Sequence, residues 1–230
     1  MILLVDKPAG MTSFGVVARL RRVVTEKRKI EAIRKGETPP KREKVGHTGT
    51  LDPFATGLLI VMTGKNTKKC QEYLKKDKTY EATICLGKTS TTGDVEGEIT
   101  EISDVKPSKA EVEKAVQSFQ GKITQKLPAY SAVKVDGERA YKLARRGVEV
   151  EMPEREVEVY AIEVLDYNYP ELKIRAHVSS GTYIRALGED IGKKLGVGGY
   201  LTALKRTKIG IYGIENAEEL DVLMEKLAES

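Results

Sequence analysis

Residues 46–62 read GHTGTLDPFATGLLIVM, a segment rich in glycine and threonine that runs directly into five apolar residues. An apolar run of this length is typical of a buried strand. Glycine lets the backbone approach a ligand closely, and Pro53 biases Asp52 toward an extended conformation. The segment predicts a loop that holds one carboxylate at the edge of a sheet. The alternative, for an Asp-Pro pair taken alone, is a plain turn with His47 on the surface.

A second polar segment, Ser179-Ser180-Gly181-Thr182-Tyr183-Ile184-Arg185, joins a predicted strand to a predicted helix. Its backbone N–H groups and hydroxyls can face an anion. Arg185 falls in the first turn of that helix, where a cation opposes the helix dipole. We therefore expect an anionic partner for Arg185, either Asp52 or a phosphate. The alternative is an exposed arginine.

The segments around these two predict a chain in which strands and helices are mixed. Strands are predicted at residues 2–6, 58–62, 80–86, 157–164, 172–178 and 204–212. Helices are predicted after Ser13, at residues 66–76, after a capping box of Ser108 and Glu111, at residues 137–146 and 182–195, and after Asn216 with Glu219. Regular βαβ alternation is missing, so we expect an α+β fold with a mixed, largely antiparallel central sheet and flanking helices. No linker marks a second domain, and residues 1–230 are expected to form one domain.

Residues 25–44 differ in character from the rest of the chain, because they hold eight Lys or Arg, four Glu and Pro39-Pro40. This composition favours a solvated, mobile loop. The alternative is a basic flap that folds onto RNA phosphates.

Composition limits the classes of partner only loosely. The 230 residues carry a net charge of +5, which fits a polyanionic partner but decides little alone. No apolar run is long enough to span a bilayer, and the N-terminus lacks the features of a signal peptide. Cys70 and Cys85 show neither metal spacing nor a disulfide framework, which favours a cytoplasmic protein.

Two other kinds of site receive little support. His47 and His177 are the only histidines, and no third ligand stands at metal spacing, so no catalytic metal is expected. Gly87-Lys88-Thr89 resembles the end of a P-loop, but the glycine required five residues earlier is Ala82. An NTPase is therefore a weak alternative, and no nucleotide cofactor is expected.

Four motifs together resemble one known family. The segment Gly46 to Pro53, Lys78-Thr79-Tyr80, Tyr130-Ser131-Ala132-Val133-Lys134 and the segment Gly181 to Arg185 occur in the order found in the TruB family of tRNA pseudouridine-55 synthases. The likeness to its bacterial members extends from residue 4 to about residue 210. It implies a pseudouridine synthase fold and no cofactor.

The resemblance assigns roles to particular residues. Asp52 is similar to the catalytic aspartate, Arg185 to the arginine that pairs with it, and Tyr80 to the tyrosine that stacks on the target base. His47 corresponds to a histidine that occupies the space left by the extruded base, and Leu204 to a leucine that lines the pocket.

The remaining residues of the resemblance are expected to bind substrate. Asp94 matches an acid in the loop after the second core strand, and Tyr183 belongs to the same motif as Arg185. Residues 127–153 resemble an inserted thumb that grips the T-loop of tRNA. The thumb cations expected to hold the RNA backbone are Lys134, Arg139, Lys142 and Arg146, and the last three share one face if they are helical.

The implied activity is isomerisation of uridine to pseudouridine at position 55 of tRNA, by base flipping and an aspartate-dependent break of the glycosidic bond. The expected partner is the T-stem-loop of tRNA, and a monomer is expected. A non-catalytic alternative is an RNA-folding module, which turnover would distinguish. Most family members carry a C-terminal, often PUA-like, extension, which we expect to be absent or minimal here, and we hypothesise that residues 25–44 partly replace its phosphate contacts.

Overall fold

The computed structural model describes residues 1–131, 133–135, 137–148 and 150–229. The strands in chain order are β1 (Ile2–Lys7), β2 (Val45–His47), β3 (Thr56–Thr63), β4 (Lys78–Leu86), β5 (Lys88–Ser90), β6 (Ile99–Glu101), β7 (Gly121–Lys126), β8 (Lys134–Val135), β9 (Glu138–Arg139), β10 (Glu154–Asn168), β11 (Glu171–Val178), β12 (Gly199–Ile209), β13 (Tyr212–Gly213) and β14 (Glu218–Glu219). The helices are α1 (Ser13–Arg34), α2 (Cys70–Leu74), α3 (Lys109–Gln117), α4 (Ala140–Arg145), α5 (Ile184–Lys194) and α6 (Leu220–Glu229), with short 3-10 turns at Gly64–Lys69 and Ile214–Asn216. These elements form two compact units: Met1–Lys78 with the chain from Lys205 onward, and Thr79–Leu204.

The first unit is built around β3, the predicted apolar strand. It pairs antiparallel with β1 and β2 and parallel with the end of β12, where Lys205 lies opposite Thr56. Because side chains alternate along a strand, Leu59 and Val61 pack against α1 and α6. Leu58 and Ile60 point the other way, into a second cluster with Met62, Tyr73 and Ile209. Burial on both faces explains why this strand is apolar at every position from Leu58 to Met62.

The second unit carries strands in the order β12, β4, β11, β10, β7. The long strand β10 pairs antiparallel with both β11 and β7. The predicted capping box opens α3, since the Ser108 side chain accepts from the Glu111 N–H and the Glu111 carboxylate accepts from the Ser108 N–H. The predicted α+β class with a mixed, largely antiparallel sheet and flanking helices is confirmed.

The prediction of a loop at residues 25–44 is wrong for the first half of this segment, because α1 continues without a break to Arg34. This extension is stabilised by two ion pairs, Lys29 with Glu26 and Arg28 with Glu31, each between residues three positions apart. Ala32 is buried there. A charged helix surface has the same composition as a solvated loop, so composition alone misled the prediction. The part outside the helix is residues 35–44.

Two predicted helix starts are also wrong. Thr12, not Ser13, caps α1 by accepting from the Gly15 N–H, and the Ser13 hydroxyl instead bonds the backbone of Leu51. The last helix begins at Leu220, and Asn216 lies in the preceding 3-10 turn. Glu218 and Glu219 cannot be helical because they pair in parallel with Val5 and Asp6.

Two sequence alternatives are tested by these elements. Gly87-Lys88-Thr89 leads into strand β5, whereas a P-loop must open a helix. None of the helices in the described ranges is both long and apolar enough for a membrane span.

Candidate active site

The loop that carries Asp52 is fixed to the first unit on both sides of the carboxylate. On the N-terminal side, the Ser13 hydroxyl donates to the Leu51 carbonyl (3.0 Å) and accepts from the Leu51 N–H (2.8 Å). On the C-terminal side, the Pro53 carbonyl accepts from the Gly10 N–H (2.8 Å) and from the Lys7 ammonium (3.2 Å). The Asp52 carbonyl closes a turn by accepting from the Ala55 N–H. The backbone at Asp52 is therefore held rigidly before β3 begins, as the sequence predicted.

A fully buried arginine lies beneath the same loop. Arg206, on β12, donates to the carbonyls of Leu58 (2.8 Å) and Gly49 (3.1 Å). Gly57 has a φ of +100°, and a Cβ there would lie 2.4 Å from the Arg206 carbonyl oxygen, so only glycine fits. Arg206 thus joins the two ends of the loop, at Gly49 and Leu58, through its side chain.

Positive charge is concentrated under this loop. Burial, and then repulsion by Arg206, lower the pKa of His47, so the imidazole is neutral at pH 7. The pKa of Lys78 is lowered to about 8 by burial and, to a smaller extent, by repulsion from Arg206. The Lys78 ammonium donates to the carbonyls of Leu74 and Lys76. Arg206 and Lys78, the buried cations, give the loop a positive environment suited to an anionic group.

Arg185 occupies the start of α5 in the second unit and is 5% exposed. Its guanidinium donates to the carbonyls of Thr92 and Tyr130, each at 2.8 Å, and one nitrogen lies 3.4 Å from the Asp94 carboxylate. Arg185 thus has an anionic partner, but this partner is Asp94, whereas the sequence predicted Asp52 or a phosphate. This pair explains how a cation is accommodated at a helix N-terminus.

Asp94 is the member of this group whose role sequence reasoning left open. It is 2% exposed, and its second oxygen accepts from the Thr92 hydroxyl (2.6 Å) and the Glu96 N–H (3.0 Å). The carboxylate thus folds the loop of residues 92–96 around itself while it faces Arg185. The sequence signal was one acid in a loop rich in Thr and Gly with Glu96 and Glu98 nearby, which is too common to identify a buried partner.

Glu189, one turn after Arg185 on α5, has a pKa raised to about 7 by burial and by repulsion from Asp190, against the attraction of Arg185. Between pH 4.5, the ordinary pKa of the Glu189 carboxyl, and pH 7, the carboxyl stays protonated in the folded state but is ionised in the unfolded state. The free energy of unfolding must fall as pH rises through this range.

We expect Glu189→Gln to remove this pH dependence, because glutamine does not titrate. When the pH is raised from 4.5 to 7.5, the unaltered chain should lose about 1–2 kcal/mol more free energy of unfolding than the variant does. Urea unfolding at both pH values measures the difference. Parallel pH profiles of the two proteins would show that Glu189 is not the responsible group.

The other predicted pocket residues of the second unit are placed as follows. Tyr80 on β4 is 9% exposed, and within the described part of the chain its hydroxyl makes no hydrogen bond. Leu204 on β12 is buried. Tyr183 exchanges two backbone hydrogen bonds with the Gln125 side chain and packs beside Leu127 and its neighbours. Their contacts with substrate stay predictions.

Residues 127–153 leave the β7–β10 pair and return to it. The Leu127 N–H donates to the Pro153 carbonyl (3.0 Å), and Leu127, Ala140 and Met152 form a small core of their own. That this segment is an inserted thumb, and that it binds RNA, stay predictions. Ala132, Asp136 and Glu149, which fall in the predicted thumb, lie outside the described residues.

The prediction of one basic helix face in this segment is wrong. Arg139 ends strand β9, which pairs with β8 across Gly137 at a φ of +86°, so it is extended and not helical. Only Lys142 lies inside α4, and Arg146 at its C-terminal end pairs with Glu138 at 2.7 Å. Lys134, Arg139, Lys142 and Arg146 are nevertheless all exposed.

The structure thus groups the predicted residues within each unit. Asp52 and His47 belong to the first unit, with Arg206 and Lys78 added by the structure. Arg185 and Asp94 are in contact in the second unit, which also contains Tyr80, Tyr183 and Leu204. Pairing of Asp52 with Arg185 stays a prediction.

Known proteins resemble this chain over nearly its whole length. The family model "TruB family pseudouridylate synthase (N terminal domain)" matches residues 37–184, and "tRNA pseudouridylate synthase B C-terminal domain" matches residues 185–230. The chain belongs to the TruB family. The tRNA pseudouridine synthase B of Mycobacterium sp. (strain KMS) is 44% identical over 98% of this chain and 72% of its own length. The enzyme of the same name from Bacteroides fragilis (strain YCH46) is 46% identical over 93% of this chain and 88% of its own length.

Solved structures give the same fold. A chain in the crystal structure of a Cbf5–Nop10–Gar1 complex matches with a TM-score of 0.70 and 28% identity, over 97% of this chain and 53% of that one. A chain of the archaeal box H/ACA sRNP Nop10–Cbf5 complex matches with a TM-score of 0.68 and 27% identity. This TruB family chain spans about half the length of each of these two solved chains.

Proposed function

We propose that this chain converts a uridine in the T-loop of tRNA, at position 55, into pseudouridine. The observation that carries the proposal is the Asp52 loop, which is fixed on both sides by Ser13, Gly10 and Lys7 in a chain of the TruB family. A catalytic carboxylate must be presented at a fixed position, because reacting groups have to meet within about 3–3.5 Å. An ordinary Asp-Pro turn does not require this many anchors.

The reaction is an isomerisation, so the product has the same atoms as the substrate and only protons are exchanged with solvent. The bond between C1′ and N1 breaks, the uracil turns, and a bond between C1′ and C5 forms. The C5 hydrogen leaves as a proton and N1 gains one. Asp52 serves either as the nucleophile at C1′ or as the base that removes the 2′ proton. Both roles need the ionised carboxylate.

The second unit supplies the remaining groups in this proposal. Arg185 pairs with Asp52 and favours its ionised form, as a cation does for a neighbouring carboxylate. What supports this is that Thr92, Tyr130 and Asp94 hold the guanidinium in one orientation. Leu204 lines the pocket for the flipped base, and Asp94 acts by positioning Arg185.

RNA recognition in the proposal relies on the thumb, residues 127–153, and on a flipped target base. Lys134, Arg139 and Lys142 are exposed there, as contacts to phosphates require. His47 occupies the space that the base leaves, for which the neutral imidazole is suitable. Base flipping costs a few kcal/mol and is cheaper in a strained loop, which favours recognition by loop shape.

The proposal is tested by incubating the chain with unmodified tRNA transcript labelled with tritium at C5 of uridine. Isomerisation must release one tritium per target uridine into water. We expect release of one equivalent per tRNA. Binding of the tRNA without release would instead favour the RNA-folding module.

Tyr80→Phe tests how the tyrosine contributes. The Tyr80 hydroxyl has no hydrogen-bond partner in the described residues, so it is available for proton transfer near C5. We expect the variant to lose roughly 10²-fold or more in single-turnover rate, as for loss of a general acid–base group. Activity within tenfold of the unaltered chain would leave stacking as the sole role. Tyr80→Leu, which also removes the aromatic ring, is the matched comparison.

A further inference from the structure

A basic cleft in the first unit has no role in the proposed reaction. Its volume is about 510 Å³, and it lies between α1, the segment that leads into β2, and the 3-10 turn Gly64–Lys69. Its charged lining is Arg21, Arg42 and Lys44, together with Glu43. Gly46 and Cys70 also line it, and Gly46 directly precedes His47 in the sequence.

The walls of the cleft are tied together by backbone and side-chain contacts. The Glu43 N–H donates to the Thr25 hydroxyl of α1 (3.1 Å). The Gly64 N–H donates to the Lys44 carbonyl (2.7 Å), and Val45 pairs with Thr63 in the sheet. The cleft is therefore formed without a ligand, since each wall is held by the fold itself.

The charges of the cleft are unbalanced. Glu43 lies 3.7 Å from Arg28, which already compensates its charge. Among the residues that the structure describes, none forms an ion pair with Arg21, Arg42 or Lys44. Burial and the nearby Arg42 lower the pKa of Arg21, which shows that like charges are close together. Cations held together without a counter-ion cost free energy that a bound anion offsets.

We propose that this cleft binds a phosphodiester group of the substrate RNA, outside the target nucleotide. The inference rests on the proposed function, because it takes RNA as the substrate. Arginine binds phosphate oxygens through two parallel N–H donors, and Arg21 and Arg42 converge from two different elements. Arg21 lies outside residues 25–44, so the site is more specific than a basic flap.

Point substitutions test the site better than deletion of residues 26–42, which would remove the last turns of α1 and the buried Ala32. Arg42 is exposed, so Arg42→Ala should fold. We expect it to weaken binding of unmodified tRNA about tenfold and to reduce the slope of log affinity against log salt by roughly 0.7–0.9.

Arg22→Ala is the matched control, because Arg22 is exposed, adjacent to Arg21 on α1, and absent from the lining. It should bind tRNA within about twofold of the unaltered chain, as expected of a solvated surface charge. If Arg42→Ala and Arg22→Ala give the same affinity and the same salt slope, the proposal is overturned.

Cys70 provides an independent reporter in the unaltered protein, because it is partly exposed in the cleft whereas Cys85 is buried. Alkylation of Cys70 by iodoacetamide is followed by mass spectrometry, alone, with tRNA, and with millimolar inorganic phosphate. We expect tRNA to slow alkylation and phosphate alone to slow it less. If phosphate protects Cys70 as well as tRNA does, the site binds a free anion, and the proposal is overturned. If tRNA gives no protection, the proposal is also overturned.

Tritium release measured on the same preparation separates the two proposals. Protection of Cys70 by tRNA without tritium release would refute the proposed reaction and leave the RNA site standing. Release without protection would refute the RNA site alone.

Discussion

Asp52→Asn is expected to abolish turnover while the chain still binds tRNA. Asparagine has nearly the same shape, and the anchors of the loop are backbone groups of Leu51 and Pro53, so the loop keeps its position. The amide can neither attack C1′ nor accept the 2′ proton. The single-turnover rate should fall by about 10⁴-fold, the upper range for loss of an acid–base group. Tritium release and filter binding measure the two properties separately.

Asp221→Asn controls for loss of a carboxylate in general, because Asp221 is exposed and, among the described residues, its ion-pair partner is the exposed Arg19. It should retain full turnover, since exposed ion pairs contribute little to stability. Turnover by Asp52→Asn within tenfold of the unaltered chain would exclude Asp52 as the catalyst.

Arg185→Lys is expected to produce the second-largest loss, roughly 10²–10³-fold in single-turnover rate. The arginine reaches the carbonyls of Thr92 and Tyr130 and the carboxylate of Asp94 with one planar group. A lysine ammonium has no such fork and cannot hold the same three partners. The charge is kept, so a loss reports geometry. Single-turnover kinetics with saturating tRNA measures it.

Arg175→Lys is the matched substitution at the surface of the same unit, where Arg175 pairs with Glu81 and Glu163. It should leave the rate within about twofold of the unaltered chain. Thermal unfolding of both variants separates loss of folding from loss of rate. A folded Arg185→Lys protein with the same rate as Arg175→Lys would remove Arg185 from the proposal.

Local patterns in the sequence predicted the parts of the fold that depend on near neighbours. The apolar residues of β3 and the Ser108–Glu111 capping box were both predicted, because each is set by residues a few positions apart. The extension of α1 was missed, although Glu26 and Lys29 already stood at helical ion-pair spacing. Charge spacing was the better signal there, and overall composition the worse one.

The contacts that support the site could not be predicted, because they join residues far apart in the sequence. Asp94 and Arg185 are 91 residues apart, and Arg206 reaches the Gly49 carbonyl across 157 positions. A buried arginine is indistinguishable in sequence from the many exposed ones. Motif resemblance pointed to Asp52, Arg185 and Asp94, whose roles stay predictions, but not to the contacts that hold them.

The central claim is that one uridine, in the T-loop of tRNA, becomes pseudouridine. Carbodiimide treatment of unmodified tRNA after incubation with the chain, followed by reverse transcription, maps pseudouridine to the nucleotide. We predict one new stop, which assigns pseudouridine to position 55 and is absent with the Asp52→Asn variant. No stop, a stop elsewhere, or the same stop with Asp52→Asn would contradict this account.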